Sequence, residues 1–402
     1  MRLAWTRAGL AALATLDALS VAYLLGLLAA AATARKRPKP APPARPASRL
    51  AVLVPAHDEE REIATAIASL NAQIYPRDRF VVTVIADNCS DRTAEAARAE
   101  GAVVYERRDE LRSGKGHALA WGIERVREDS PDIDAITILD ADCEASPNYL
   151  DVMSRHIADG AAGAQARIRI ANAEETWAAA LQAASFDLIS EVRARGRDRL
   201  GLSAWPQGTG TTLTIGLLDR VPWDAFSPAE DVEYGARLIA AGERFDRADG
   251  AVVTTRAATA FGEAGEQQRR WESGRWTLIR EWLPRHLAAG LRYRDGRRLA
   301  AALELIVPPQ SLLLVTSVAA AISGRALAMR SVGRLAWFSL TGQGLFVFGG
   351  LALAGAPPGI YRALVRAPLL AAWKAPVQLR GIAGRGPTRW VKGPRRPVDR
   401  SG

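Results

Sequence analysis

The feature that most constrains this chain is a repeated one: a short apolar run that stops abruptly on acidic or amide side chains. It occurs at residues 50–54, ending Pro55-Ala-His-Asp58-Glu59, and at 80–86, ending Asp87-Asn88-Cys89-Ser90-Asp91. It recurs at 135–139, ending Asp140-Ala-Asp142. Runs of this length rich in Val and Ile read as strands buried on both faces. Between them, 59–72, 93–100 and 116–127 have helical spacing, with Ile63, Ile67 and Leu70 on one face, and 102–105 reads as a further strand. This β-α-β-α rhythm predicts an α/β domain on a mostly parallel sheet with helices on both faces. Ligands of such sheets bind beyond the carboxyl ends of the strands, so the acidic stops predict where the site lies.

The chain on either side is different in kind. Residues 8–33 are apolar apart from Asp17, Ser20 and a few small polar groups, long enough for a helix to cross a bilayer. Ala32-Thr33-Ala34 would suit a signal-peptide cleavage site. The length of the run and the Arg35-Lys36-Arg37 that follows favour an uncleaved anchor whose end stays in the cytoplasm. Residues 299–323 carry Pro308-Pro309 at their middle, predicting a kinked span or two half-helices, and 335–357 is free of charge. Burial as core helices is the alternative for both. Residues 367–379 are too short to span and include Lys374, which fits an amphipathic helix on the membrane surface.

The expected layout is an anchor at 1–34, a basic Pro/Ala-rich linker at 35–49 and the α/β domain at 50–285. Two spans follow within 286–357, then an interfacial helix and basic tail at 358–402. Three crossings with residues 35–49 inside predict a multi-pass membrane protein with its α/β domain and tail cytoplasmic, and the Ala/Arg-rich composition suggests the inner (plasma) membrane. Arg325, Arg330 and Arg334 then fall in the external loop, which runs against the charge rule.

The net charge of +10 is informative through its location. Segment 35–49 holds six basic residues and no acid, and residues after 360 carry +9, which leaves 50–360 at −6. A mildly acidic body is a poor nucleic-acid surface, so no nucleic-acid partner is expected. The flanks suit anionic membrane lipids, at about 1 kcal/mol per basic residue near the surface. Two cysteines exclude a disulfide scaffold and a multi-cysteine zinc site, and Cys89 and Cys143 read as packing groups. Neither H-E-x-x-H nor G-x-S-x-G occurs. Arg112-Ser-Gly-Lys115-Gly116 is not a Walker loop, because Asp109 and Gly116 stand where Gly and Ser or Thr are needed.

What remains is carboxylate chemistry. Asp140 and Asp142 after a buried strand suit a hard cation, Mg²⁺ or Mn²⁺, that bridges to a phosphate, although a solvated turn would look the same. Asp87 could accept a hydrogen bond from a base or sugar, or cap the next helix. Lys115 at a helix start could approach phosphate. Gly208-Thr-Gly210, Glu230-Asp231 and Gln267-x-x-Arg270-Trp271 each have a structural explanation as turn, helix start or surface run.

Taken in order, Val54-Pro-Ala-His-Asp-Glu59, Ala86-Asp-Asn-Cys-Ser-Asp91, Gly114-Lys-Gly116, Asp140-Ala-Asp142, Glu230-Asp231 and Gln267-Gln-Arg-Arg-Trp271 resemble the family 2 glycosyltransferases, inverting enzymes with the Rossmann-like GT-A fold. The likeness is to their membrane-bound branch, which includes cellulose and hyaluronan synthases. It implies that Pro55, Glu59 and Asp87 hold the base and ribose of a nucleotide-sugar donor, with Lys115 close to the nucleotide. Asp140 and Asp142 would hold the sugar nucleotide and its divalent cation, and Asp231 would be the base that deprotonates the acceptor. Gln267, Arg270 and Trp271 would line the diphosphate and the acceptor's path, and Trp205 or Trp271 would offer a ring for a sugar. The acceptor would be a growing polysaccharide or a lipid-linked glycan, with export or synthase complex subunits as further partners. Single transfer to a polyprenyl phosphate or glycerolipid, or a non-catalytic sugar-nucleotide-binding scaffold, are the alternatives. Asp58 stands where many relatives have Asn. No clear F-x-V-T-x-K-like segment occurs between 254 and 265, which counts against cellulose as the product and leaves processivity open.

Overall fold

The computed structural model describes residues 2–34, 48–257 and 261–382, and of 2–4 and 261–273 the backbone alone. Most of the basic linker and the tail beyond 382 lie outside the described residues. A long helix, α1 (Arg2–Thr33), leads into β1 (Leu50–Ala56), α2 (Ile63–Asn71), β2 (Phe80–Asp87), α3 (Thr93–Ala99), β3 (Val103–Arg107), α4 (Lys115–Asp129) and β4 (Ala135–Ile138). There follow β5 (Cys143–Ala145), α5 (Tyr149–Ala158), β6 (Gly163–Ile170), α6 (Trp177–Phe186), a π-helical stretch (Asp187–Arg193) and α7 (Ala194–Arg199). The domain closes with β7 (Thr211–Thr214), α8 (Ile215–Arg220), α9 (Glu230–Ala240) and β8 (Asp246–Thr255).

The strands form one eight-stranded sheet in the order β3-β2-β1-β4-β7-β6-β8-β5. Strands β3, β2, β1 and β4 are parallel, while β7 runs against both β4 and β6. Alternation along β1 shows why its sequence is wholly apolar. Leu50, Val52 and Val54 pack with Ile63, Ile67 and Leu70, while Ala51 and Leu53 face Leu119, Ile123 and Val126. The expected helix over 59–72 starts only at Ile63. Asp58 sits at φ +53, and the turn after it hands the Glu59 and Glu60 amides to Thr93 Oγ1 and Asp91 Oδ2.

The remaining helices form a second layer: α10 (Phe261–Tyr293), α11 (Gly296–Ile306), α12 (Gln310–Ala326), α13 (Arg330–Ala354), α14 (Pro358–Ala363) and α15 (Ala367–Ile382). Among the described residues, two helices are long and apolar enough to cross a membrane, Trp5–Thr33 and Arg330–Ala354. The α11–α12 pair makes a third crossing if taken as one span, bent by 73° at Pro308-Pro309, where neither proline can donate a helix bond. A Cβ on Gly342 would crowd Val21 and one on Gly349 would meet Leu28, so α1 and α13 lie parallel and close. Helix α12 runs the other way: Ser317 donates to Asp17 at 3.2 Å, and Arg7 to the Leu327 carbonyl at 2.8 Å.

The sheet is mounted on this layer through α6, the π-helical stretch and α7, none of which the strand-and-helix rhythm foretold. A Cβ on Gly196 would overlap the Leu27 carbonyl oxygen, so α7 touches the α1 backbone. Glu304 of α11 pairs with Arg197 at 2.8 Å and with Arg193, and accepts the Tyr23 hydroxyl at 2.9 Å. Arg167 of β6 reaches Asp187 at 2.7 Å and the Ala354 carbonyl at 3.1 Å. Helix α10 passes residue 285, the expected domain limit, without a break.

Candidate active site

Because β7 is antiparallel, its first residues lie at the same edge as the last residues of β1, β2 and β4. That edge gathers most of the residues marked by the sequence. At its β2 end, Asp87 is buried and takes the Arg107 guanidinium at 2.5 Å, with Asn88 Nδ2 at 3.1 Å from the same carboxylate oxygen. Arg107 also holds Asp109 and the Arg112 carbonyl, so it ties Asp87 to the loop before α4. His57 donates its Nδ1 proton to the Asp87 carbonyl at 2.7 Å, beside half-buried Pro55 and Glu59.

Lys115 is the first residue of α4, delivered by Gly114 at φ 117. Gly116 is forced by contact, since a Cβ there would overlap the Ala225 carbonyl oxygen. The Lys115 ammonium lies 2.5 Å from Asp140 Oδ1, 2.8 Å from the Gly208 carbonyl and 3.5 Å from Glu230 Oε1. Gly208 and Gly210 have φ of +77 and +65, a left-handed path suited to glycine. A Cβ on Gly208 would sit 3.2 Å from Lys115 Nζ and 3.5 Å from Asp231 Oδ2, which places Asp231 in the same group. Buried Gln165 of β6 holds this turn: its amide donates to the Thr209 carbonyl at 2.8 Å, and its oxygen accepts from Gln207 N–H and Thr211. Thr209 in turn accepts the Asp140 N–H at 3.0 Å.

Four carboxylates and one ammonium share this space. Burial pushes the Asp231 carboxyl above the usual carboxylate range, against the pull of Lys115. Asp140 moves the same way for the same reason, with Lys115 opposing and Asp142 adding to the rise. Burial alone would pull Lys115 down, but Asp140, Glu230 and Asp231 outweigh it and keep the ammonium charged. Asp140, Asp142 and Cys143 offer ligand atoms within 4.8 Å of one another. Burial, with Asp142 and Asp140, raises the Cys143 thiol well above its ordinary value, so it stays neutral and the oxygen donors are the two aspartates. Two carboxylates this close together fit a hard divalent cation.

Trp205 packs against Gly235 of α9, with the Arg197 guanidinium 5.7 Å from its ring centre. The side chains of Gln267, Arg270 and Trp271 lie outside the described residues, on a helix whose Gly274 abuts Ala229 just before α9. Arg107 and Gln165 were not marked by the sequence reading. Arg107 ends β3 in a charged run and Gln165 sits between small residues of β6, so only the sheet order shows which loop each serves.

The description glycosyltransferase like family 2 matches residues 46–274, more than half of the chain. The chain belongs to this family. Among curated family relatives, a low-salt glycan biosynthesis hexosyltransferase of Haloferax volcanii is 34% identical over 123 residues, covering 30% of this chain and 28% of that protein. A probable glycosyltransferase of Bacillus subtilis is 23% identical over 244 residues, 58% of this chain and 57% of its own length. A glucomannan 4-beta-mannosyltransferase of Oryza sativa subsp. japonica is 24% identical over 245 residues, with 58% and 46% covered. The matches thus span less than two thirds of each of these relatives. Among solved structures, a mannosyltransferase from Pyrobaculum calidifontis in complex with GDP-Man and Mn²⁺ superposes with a TM-score of 0.54 at 20% identity. That likeness covers 92% of this chain and 99% of the other. The family fold, GT-A, is therefore the fold of this mixed, mostly parallel sheet, as its motifs implied.

Proposed function

We propose that this family 2 protein is a membrane-anchored, metal-dependent, inverting glycosyltransferase. It moves a sugar from a nucleotide donor, a UDP-sugar in the first instance, to a growing polysaccharide or lipid-linked glycan. The reading rests above all on one observation: Lys115, Asp140, Asp142, Glu230 and Asp231 converge at the edge where strand ends bind ligands.

In this reading the pocket at Pro55, Glu59 and Asp87 takes the base and ribose, with Arg107 fixing the Asp87 carboxylate. Asp142, with Asp140, would hold Mg²⁺ or Mn²⁺, which neutralises charge on the departing diphosphate. Asp231 takes the proton of the attacking hydroxyl, and its raised pKa makes it a stronger base than an ordinary aspartate. Gln267, Arg270 and Trp271 are proposed for the diphosphate and acceptor side. Three crossings, α1, α11–α12 and α13, leave the sheet and the residues after 354 on one side, and the basic flanks favour the cytoplasm for that side. Membrane lipids, and export or synthase subunits, are the further partners this arrangement suits.

The test is nucleoside diphosphate release by the detergent-purified protein from a panel of UDP- and GDP-sugars, with Mn²⁺ or Mg²⁺, with EDTA, and with Asp142→Ala. Release that needs both metal and Asp142 is the expected outcome. Release that survives EDTA and Asp142→Ala alike would overturn the metal-dependent reading.

A further inference from the structure

We propose that Lys115 is the resident cation of the carboxylate cluster while the donor is absent, and that it holds a divalent metal off Asp140 until a nucleoside diphosphate draws the ammonium away. This deepens, and rests on, the metal reading of Asp140 and Asp142.

An ammonium has three protons to donate and no more. Here the ammonium is ion-paired with Asp140 Oδ1 at 2.5 Å, donates to the Gly208 carbonyl at 2.8 Å and lies 3.5 Å from Glu230 Oε1, so the protein itself supplies its counter-ions. The first of these contacts occupies the carboxylate that a cation shared with Asp142 would use. An ammonium and a divalent ion cannot both sit against Asp140 without strong mutual repulsion. The backbone is poorly placed to relieve it: Gly116 is locked under the Ala225 carbonyl, Thr209 is held by Gln165, and Gly210 by Ile138 and Ala166. Relief must come from the side chain of Lys115, whose four-carbon stem allows it. A nucleoside diphosphate brings anionic oxygens that can receive the ammonium and complete a metal's coordination together. Metal and nucleotide then bind with positive coupling, and the coupling is reciprocal.

The experiment is Mn²⁺ titration of the full-length protein in detergent, followed by calorimetry or the free-Mn²⁺ EPR signal, without nucleotide and with saturating UDP or GDP. Wild type is expected to bind Mn²⁺ about ten-fold more tightly or better when its nucleotide is present. Lys115→Gln is expected to bind Mn²⁺ alone about ten-fold more tightly than wild type, with the nucleotide effect reduced. Lys115→Arg, which keeps the charge, should not show that gain, and adding Asp142→Asn to Lys115→Gln should remove it. Equal Mn²⁺ affinity of wild type with and without either nucleotide overturns the inference and needs no variant. A Lys115→Gln protein that is folded by circular dichroism and binds Mn²⁺ no better than wild type overturns it too. These results leave the metal site standing. No Mn²⁺ binding by either protein, with or without nucleotide, would instead remove the metal reading and the inference with it.

Discussion

Two charged clusters of this protein are built on opposite plans. At the sheet edge, Asp140, Asp142, Glu230 and Asp231 outnumber the one lysine among them. At the mount, Glu304 is enclosed by Arg193, Arg197 and Tyr23, and nearby Arg167 and Arg247 meet Asp187, Glu191 and Asp249. The second cluster pairs its arginines with carboxylates one for one. Among the described residues the first sets four carboxylates around one ammonium.

That contrast breaks if the two clusters respond alike to mutation. Asp231→Asn should lower sugar transfer by about 10²–10⁴-fold, the usual weight of a general base, while the melting temperature holds. Assay of diphosphate release beside a thermal melt checks both halves, and unchanged turnover would sink the base assignment. Glu304→Gln should do the reverse, costing about 3–5 kcal/mol of stability by leaving buried Arg197 and half-buried Arg193 without their carboxylate. Denaturant unfolding in detergent measures it, with activity per folded molecule expected to persist. Gly116→Ala tests the wall of the site, because the added methyl must displace the Ala225 carbonyl; about 1–3 kcal/mol is expected, together with a raised donor KM. The smallest effect is on pH. If Asp231 is the base it acts ionised, and with its pKa raised kcat/KM should fall as the medium is acidified, with the limb above the ~4 of an ordinary carboxylate.

The sheet edge was far more legible in the sequence than the joint. Leu50 to Val54 and Phe80 to Ala86 announce themselves because strands covered on both faces need unbroken apolar runs. The acidic stops after them sit where parallel sheets bind ligands. Strand β6, with Gln165, Arg167 and Arg169 between small and apolar residues, carries no such signal, and antiparallel β7 has just four residues. The Gly208 turn therefore looked like any glycine turn until β7 brought it beside Lys115. Glu304 read as a lone acid in an apolar segment. Its partners Arg193 and Arg197 stand more than a hundred positions away, in a stretch with a π-helical register that periodicity does not forecast. Gln267, Arg270 and Trp271 were marked by their order in the chain alone.

Helix α10 carries one more consequence. Its 33 residues form a rod about 50 Å long, from beside the catalytic edge to the start of α11. Near its middle Arg275 donates to the Leu305 and Val307 carbonyls, at the break between α11 and α12. Leu278 and Trp282 pack with Ala229, Ala236 and Leu305. Anyone trimming this protein to a soluble fragment at residue 285 would saw through the rod and strip those side chains of their cover. The shortest piece worth excising ends after Ile306, and it takes half of the bent α11–α12 pair along with it.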